Sequence, residues 1–271
     1  MQILATMSST PAGDTASVSD VISGDANPAY AAFHRPRFAF LIEVMRSCGA
    51  TANSRILDIG TSRLTSMIAN EFSVRVESMG LESEAETKEF VHHRFDLNTL
   101  GDRTPTGAKL GPYDIIVFAE VLEHLYTAPE LVLPYLRGLL VPGGVLLLQT
   151  PNAVALRKRA KMVLGLNPFE RIRLERDNPG HFREYTAMEL RELLVIGGFA
   201  VERLWMKHYF DVRYARHEHG DETPSVIVGT LKNVFYRLLP SSLREGITIL
   251  ARRPENAGRD TYAMTGGAVG R

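Results

Sequence analysis

The tightest constraint in this chain is a short apolar strand that runs into a glycine and then into a helix. Residues 56–59 read Ile-Leu-Asp-Ile, Gly60 follows, and Leu64, Met67, Ile68 and Phe72 then recur on one helical face. A strand, a tight turn and a helix in this order open doubly wound α/β domains, whose ligands sit at the carboxyl ends of the strands. The turn discriminates among such ligands. A dinucleotide pyrophosphate needs the G-x-G-x-x-G spacing, because backbone must approach phosphate closely. Here Ser62 and Thr65 stand at the second and third glycine positions, which argues against a nicotinamide-dependent oxidoreductase. Asp58, two places before the glycine, suits a cationic or ammonium-bearing ligand better than a pyrophosphate.

The alternation continues downstream. Residues 74–81, 91–95, 113–118, 145–149, 199–205 and 247–251 read as further strands. Thr127-Ala128-Pro129-Glu130 has capping-box spacing and opens a helix in which Pro134 predicts a kink or a delayed start. Thr186-Ala187-Met188-Glu189 is a second capping box, opening a helix that carries Leu190, Leu193 and Leu194 and stops at Gly197-Gly198. Before the first strand, Phe38, Leu41, Ile42 and Met45 share one face of a helix over residues 30–48. Strands alternating with helices predict a largely parallel sheet covered on both faces.

Composition narrows the setting. Lys plus Arg and Asp plus Glu both number 31, so a broad electrostatic grip on nucleic acid or an anionic membrane is disfavoured, although a local patch is not. One cysteine, Cys48, allows no intramolecular disulfide and fits a reducing compartment. The N-terminus lacks a signal-peptide pattern and no apolar run reaches membrane-span length, so the expectation is a cytoplasmic protein. Residues 1–27 read as a flexible leader, 28–253 as one domain with inserts at about 152–178 and 212–244, and 254–271 as a flexible tail.

Four motifs carry a family resemblance. ILDIG at 56–60, YDIIVFAEVLEHL at 113–125, LLVPGGVLLLQTPN at 139–152 and HFREYTAMELRELLVIGGF at 181–199 occur in the order and spacing of class I S-adenosylmethionine-dependent methyltransferases. The resemblance spans roughly residues 55–253 and is specific for fold and cofactor, far less so for substrate. It implies a Rossmann-like seven-stranded sheet, mostly parallel with an antiparallel last strand.

The resemblance also implies roles. Gly60 lets the chain pass close to the methionine part of S-adenosylmethionine, and Asp58 holds its amino end. Glu82 is the candidate for the ribose hydroxyls, with Glu77 as fallback. Asp96 would take the adenine amine while Leu97 packs on the ring, and Glu120 lies beside the sulfonium. Many relatives carry D-x-G-x-G-x-G, whereas Ser62 and Leu64 occupy the later glycine positions here. Ser62 can cap the next helix and still donate a hydrogen bond.

Glu120, Glu123 and His124 form an E-x-x-E-H motif. Two carboxylates and an imidazole can bind a divalent metal, with His181 as an added ligand, and metal-dependent small-RNA 2′-O-methyltransferases share the spacing. The adopted reading has no metal: Glu123 and His124 stabilise the turn. His181 is the candidate catalytic base for an alcohol or phenol acceptor, with Arg183 and Tyr185 as substrate-facing companions. The first insert, with Arg157, Lys158, Arg159 and Lys161 beside apolar residues, reads as an amphipathic helix. It could be a lid or an interfacial helix that meets a lipid-linked acceptor. The expected activity is O-methylation of a small molecule, sugar or lipid-linked acceptor. A metal-dependent RNA 2′-O-methyltransferase and a non-catalytic cofactor-binding relative are the alternatives.

Overall fold

The computed structural model describes residues 28–101, 110–174, 179–214 and 225–255. The predicted leader, and all of the predicted tail after residue 255, lie outside these.

The elements follow in the order α1 (Pro28–Ser47), β1 (Ile56–Ile59), α2 (Arg63–Phe72), β2 (Val76–Gly80), β3 (Ala85–Glu86), β4 (Phe90–Arg94), β5 (Tyr113–Ala119), α3 (Pro129–Leu139), β6 (Leu140–Pro151), α4 (Leu156–Val163), α5 (Ala187–Ile196), β7 (Ala200–Lys207), α6 (Val226–Leu238) and β8 (Gly246–Arg252). They build an eight-stranded sheet of order β3-β4-β2-β1-β5-β6-β8-β7. β4, β2, β1, β5 and β6 pair in parallel, and the last strand, β8, runs antiparallel between β6 and β7. The expected seven strands are all present. The eighth is β3, two residues paired antiparallel to the edge of β4, too short to leave an apolar pattern in the sequence.

Both faces of the central strands are apolar, as a sheet covered by helices requires. Leu57, Ile116, Phe118, Leu146 and Leu148 pack on the side that receives α3 and α5. Their alternating neighbours Ile56, Ile115, Val117, Val145 and Leu147 pack on the side of α1 and α2. Asp58 shares the second side, and this points its carboxylate toward α1 and α2.

Two of the helix starts carry capping boxes. Ser62 caps α2, accepting from the Leu64 amide while Thr65 Oγ1 accepts from the Ser62 amide. Thr186 and Glu189 form the reciprocal box at α5. Such caps contribute about 1 kcal/mol each. Two of the described starts lack a side-chain cap: α4, which follows Ala155, and α3, which starts at Pro129 after Ala128. Thr127 Oγ1 instead donates to the Asn98 carbonyl, and its amide donates to Asn98 Oδ1. The predicted box at Thr127 is thus replaced by a tie to the loop after β4.

Candidate functional site

At the end of β1, Gly60 has φ +81, and a Cβ added there would lie 2.7 Å from Val121 Cγ2. Only glycine fits the turn without displacing the loop after β5. Asp58 is 2% exposed, and its Oδ2 accepts a 2.6 Å hydrogen bond from Thr65 Oγ1. Burial raises its pKa to about 7, against the opposing pulls of Thr65 and the Arg37 charge.

Arg37, on α1, is the main residue that sequence reasoning missed. It is 6% exposed and reaches Glu120 Oε2 at 3.7 Å. Its Nε is buried without a hydrogen-bond partner. Glu120 adopts φ +58, uncommon for a residue with a Cβ, and its amide donates to the Gln149 carbonyl. Burial pushes the Glu120 carboxyl up, while Arg37 and His124 pull it down. Asp58, Arg37 and Glu120 thus form an acid–base–acid group behind the Gly60 turn.

Glu82 folds back over Gly80, where any Cβ would collide with its carboxylate. Its Oε2 stands 3.6 Å from His92 Nε2. His92 Nδ1 in turn lies 2.9 Å from both Thr61 Oγ1 and Ser78 Oγ, so a buried network joins the Gly60 turn to His92, with Glu82 Oε2 beyond hydrogen-bond distance. Burial keeps the His92 pKa low. Glu77, the fallback, sits near the start of β2 and is held by Tyr113, His93 and Arg55. Burial would raise its pKa, but those three partners hold it below the usual value. Asp96 Oδ1 accepts from the Asn98 amide, closing a turn, and Leu97 packs in the apolar core.

The E-x-x-E-H segment is rearranged relative to its spacing. Residues Leu122–His124 form a 3-10 turn, and Glu120 lies outside it because of its positive φ. The donors that converge are therefore Glu123, His124 and His181, whose ligand atoms all lie within 4.8 Å of one another. Glu123 is fully buried; Oε2 accepts from Thr150 Oγ1, and Oε1 has no partner. Its pKa is raised by burial and then by the Glu120 charge. Its backbone carbonyl accepts from the amides of Phe182 and Arg183, which fixes the His181 loop. The His124 and His181 rings meet edge to face at 4.7 Å.

His181 Nδ1 lies 3.1 Å from Glu184 Oε1. Burial and the neighbouring His124 lower the His181 pKa to about 4. Lys158 of α4 pairs with Glu184, and burial lowers its pKa to about 8. These three side chains, with Phe33, Phe210 and Glu245, line a cavity of about 270 Å³. Arg183 is instead exposed and paired with Glu189, and Tyr185 is buried in the core. Glu184, between them, is the residue that faces the cavity. Its His-x-x-Glu spacing from His181 was the available signal.

Comparisons with known proteins show the family. Residues 33–204 match a family model described as a methyltransferase domain. A probable S-adenosylmethionine-dependent methyltransferase of Mycolicibacterium smegmatis is 37% identical over 89 residues, which cover 33% of this chain and 29% of that protein. The chain therefore matches less than a third of the length of this curated relative. Among solved structures, the [4+2]-cyclase SpnF superposes with a TM-score of 0.53 at 13% identity, covering 87% of this chain and 94% of its own. A Galdieria sulphuraria protein provisionally described as a sarcosine dimethylglycine methyltransferase gives 0.51 at 12% identity, covering 81% and 86%. Both show the fold alone. With most of its described sheet inside the matched span, the chain belongs to the methyltransferase-domain family and has the fold of the class I S-adenosylmethionine-dependent methyltransferases.

Proposed function

We propose that this chain binds S-adenosylmethionine at the Gly60 turn and transfers its methyl group to an oxygen of a small molecule, sugar or lipid-linked acceptor. The observation that carries the reading is His181: a neutral imidazole backed by Glu184, at the wall of a cavity whose Lys158 is near enough to Glu120 for its charge to act on that carboxyl.

The donor set fits the cofactor. Gly60 leaves bare backbone where a Cβ would close the turn. Asp58 is poised to ionise against an ammonium, and Arg37 offers a buried cation to a carboxylate. Glu82 has a buried oxygen without a hydrogen-bond partner for a ribose hydroxyl. When bound, S-adenosylmethionine supplies an electrophilic methyl carbon on a sulfonium. The protein's part is placement and proton transfer. With Glu184 ionised, its carboxylate accepts from His181 Nδ1–H, which leaves the Nε2 lone pair as the basic site. At a pKa of about 4, His181 is a weak base that stays neutral at pH 7. It takes the acceptor's proton as the oxygen–methyl bond forms, when that proton becomes acidic.

The test is a methyl-donor assay against pooled metabolite and lipid extracts, with product mass detection. O-methylated product from the native chain, and little from His181→Ala, is the expected result. Purified, folded protein that does not bind S-adenosylmethionine in calorimetry would sink the reading.

One observation supports a second reading. Glu123, His124 and His181 offer a carboxylate and two imidazoles whose donor atoms all lie within 4.8 Å of one another, and Glu123 Oε1 is buried without a partner. That set suits a divalent first-row ion able to bind an acceptor oxygen, as in a metal-dependent 2′-O-methyltransferase.

A further inference from the structure

Helix α6 is inside out. It buries Gly229 and Asn233 against the body of the protein and turns its apolar residues to solvent. Ile227 is 73% exposed, Leu231 65% and Leu238 79%, with Val226, Val234 and Phe235 also exposed. The docking face explains the arrangement. Asn233 Nδ2 donates to Asp211, and its Oδ1 accepts from the Val212 amide. A Cβ at Gly229 would lie 2.8 Å from Arg213 Cα, so the helix approaches backbone as closely as it can. Polar bonds fix one face and leave the other without an apolar partner among the described residues.

The first insert behaves alike. α4 has no buried residue, and after it Leu164, Leu166 and Ile172 are exposed. The two inserts adjoin at the carboxyl edge of the sheet. Asn152, just before α4, donates from Nδ2 to the carbonyls of Ser242 and Arg244, just after α6. Arg157 and Lys161 of α4 also line the His181 cavity.

Charge selects the occupant. Residues 152–174 and 225–244 hold nine Lys or Arg and one acidic residue, Glu170, in a chain that is neutral overall. Beside α6 a cavity of about 370 Å³ is lined by Lys207, Arg237 and Arg244, with Glu43 as its acidic member. A second copy of this face would set cations against cations. RNA would use the cations but leave the aliphatic side chains in water. Exposed aliphatics among basic residues match an anionic bilayer surface, where apolar groups enter the acyl boundary and cations meet headgroups. No helix among the described residues is long and apolar enough to cross a membrane, so the contact is peripheral.

We propose that α4, the segment after it and α6 form a face that docks on an anionic lipid bilayer and turns the His181 cavity toward an acceptor held there. The substrate side of this proposal rests on the methyltransferase reading; the docking does not.

The test is sedimentation of the full chain with phosphatidylcholine vesicles, with and without roughly one third phosphatidylglycerol. Binding is expected only with the anionic vesicles and should weaken as salt rises. The pair Leu231→Asp and Phe235→Asp, exposed and outside the lining of the His181 cavity, should reduce binding by at least about tenfold. So should Arg159→Glu with Lys161→Glu. Circular dichroism checks folding, and S-adenosylmethionine calorimetry on the same proteins tests the enzymatic reading separately. Docking is overturned by absent vesicle binding, by binding that the variants leave unchanged, or by tighter binding to single-stranded RNA. A dimer in size-exclusion chromatography that the Leu231 and Phe235 substitutions dissolve would assign the face to a second copy and equally overturn it.

Discussion

Arg37 of α1 lies 3.7 Å from Glu120 at the end of β5, and its charge also bears on Asp58 at the end of β1. One buried guanidinium thus serves two carboxyl groups from different strands. In the proposed complex the cofactor's carboxylate gives Arg37 a third partner. Arg37→Ala should weaken S-adenosylmethionine binding by roughly 10- to 100-fold, the cost of one charge-assisted hydrogen bond in a dry site. Arg37→Lys should recover part of it. Isothermal calorimetry checks both, and unchanged affinity would remove Arg37 from the cofactor site.

Asp58 gives a pH signature. Its pKa is about 7 in the fold against 3.8 for a free aspartate, so between these values the folded state holds more protons than the unfolded. Stability contributed by this group is greatest below about pH 4 and falls as pH rises toward 7, at up to about 1.4 kcal/mol per unit. Cofactor affinity should move the opposite way, because the ammonium selects the ionised carboxylate and binding releases a proton. Denaturant melts and calorimetry across this window measure both slopes, and Asp58→Asn should flatten them.

Gly60→Ala should destabilise the fold by about 1–3 kcal/mol, from the positive φ together with the 2.7 Å approach to Val121. Pairing it with Val121→Ala relieves the clash but not the φ strain. The double variant should regain part of the stability in urea melts while cofactor binding stays weak.

What the sequence made legible follows from distance along the chain. The Asp58–Gly60 turn and the Ser62 cap are contiguous, so periodicity and turn chemistry locate them directly. Arg37 belongs to a helix whose apolar stripe is readable, but only packing of α1 against the sheet brings its guanidinium to Glu120. The E-x-x-E-H spacing pointed to Glu120, Glu123 and His124 because helical geometry makes them neighbours. A positive φ at Glu120 breaks that geometry, and backbone strain of this kind leaves no mark in residue type. Likewise, spacing alone could not show that Glu184, not Arg183 or Tyr185, faces the cavity.

His181 and Glu184 make a kinetic prediction. With His181 neutral above a pKa of about 4, the transfer rate should be flat through neutrality and fall only in acid. His181→Ala should lower kcat by roughly 100-fold with cofactor affinity preserved. Glu184→Ala should lower kcat less, by about tenfold, because the imidazole remains but its tautomer is no longer set. Steady-state rates on the identified acceptor, split into kcat and KM, separate the two roles.

The convergence of Glu123, His124 and His181 separates the base reading from the metal reading. If His181 is a free base, chelator treatment leaves transfer unchanged and added Mn²⁺ or Zn²⁺ produces no calorimetric binding. If the three residues hold an ion, Glu123→Gln and His124→Ala abolish both metal binding and activity together, and activity depends on metal concentration. Glu123→Gln is the sharper variant. Its amide oxygen can still accept the Thr150 hydrogen bond that holds Glu123 in place, so the turn persists while the anionic ligand is lost. Under the base reading it should leave kcat within about threefold, and it should raise stability increasingly as pH rises above the ordinary carboxylate range, because there the unfolded chain's Glu123 ionises while burial holds the folded carboxyl back.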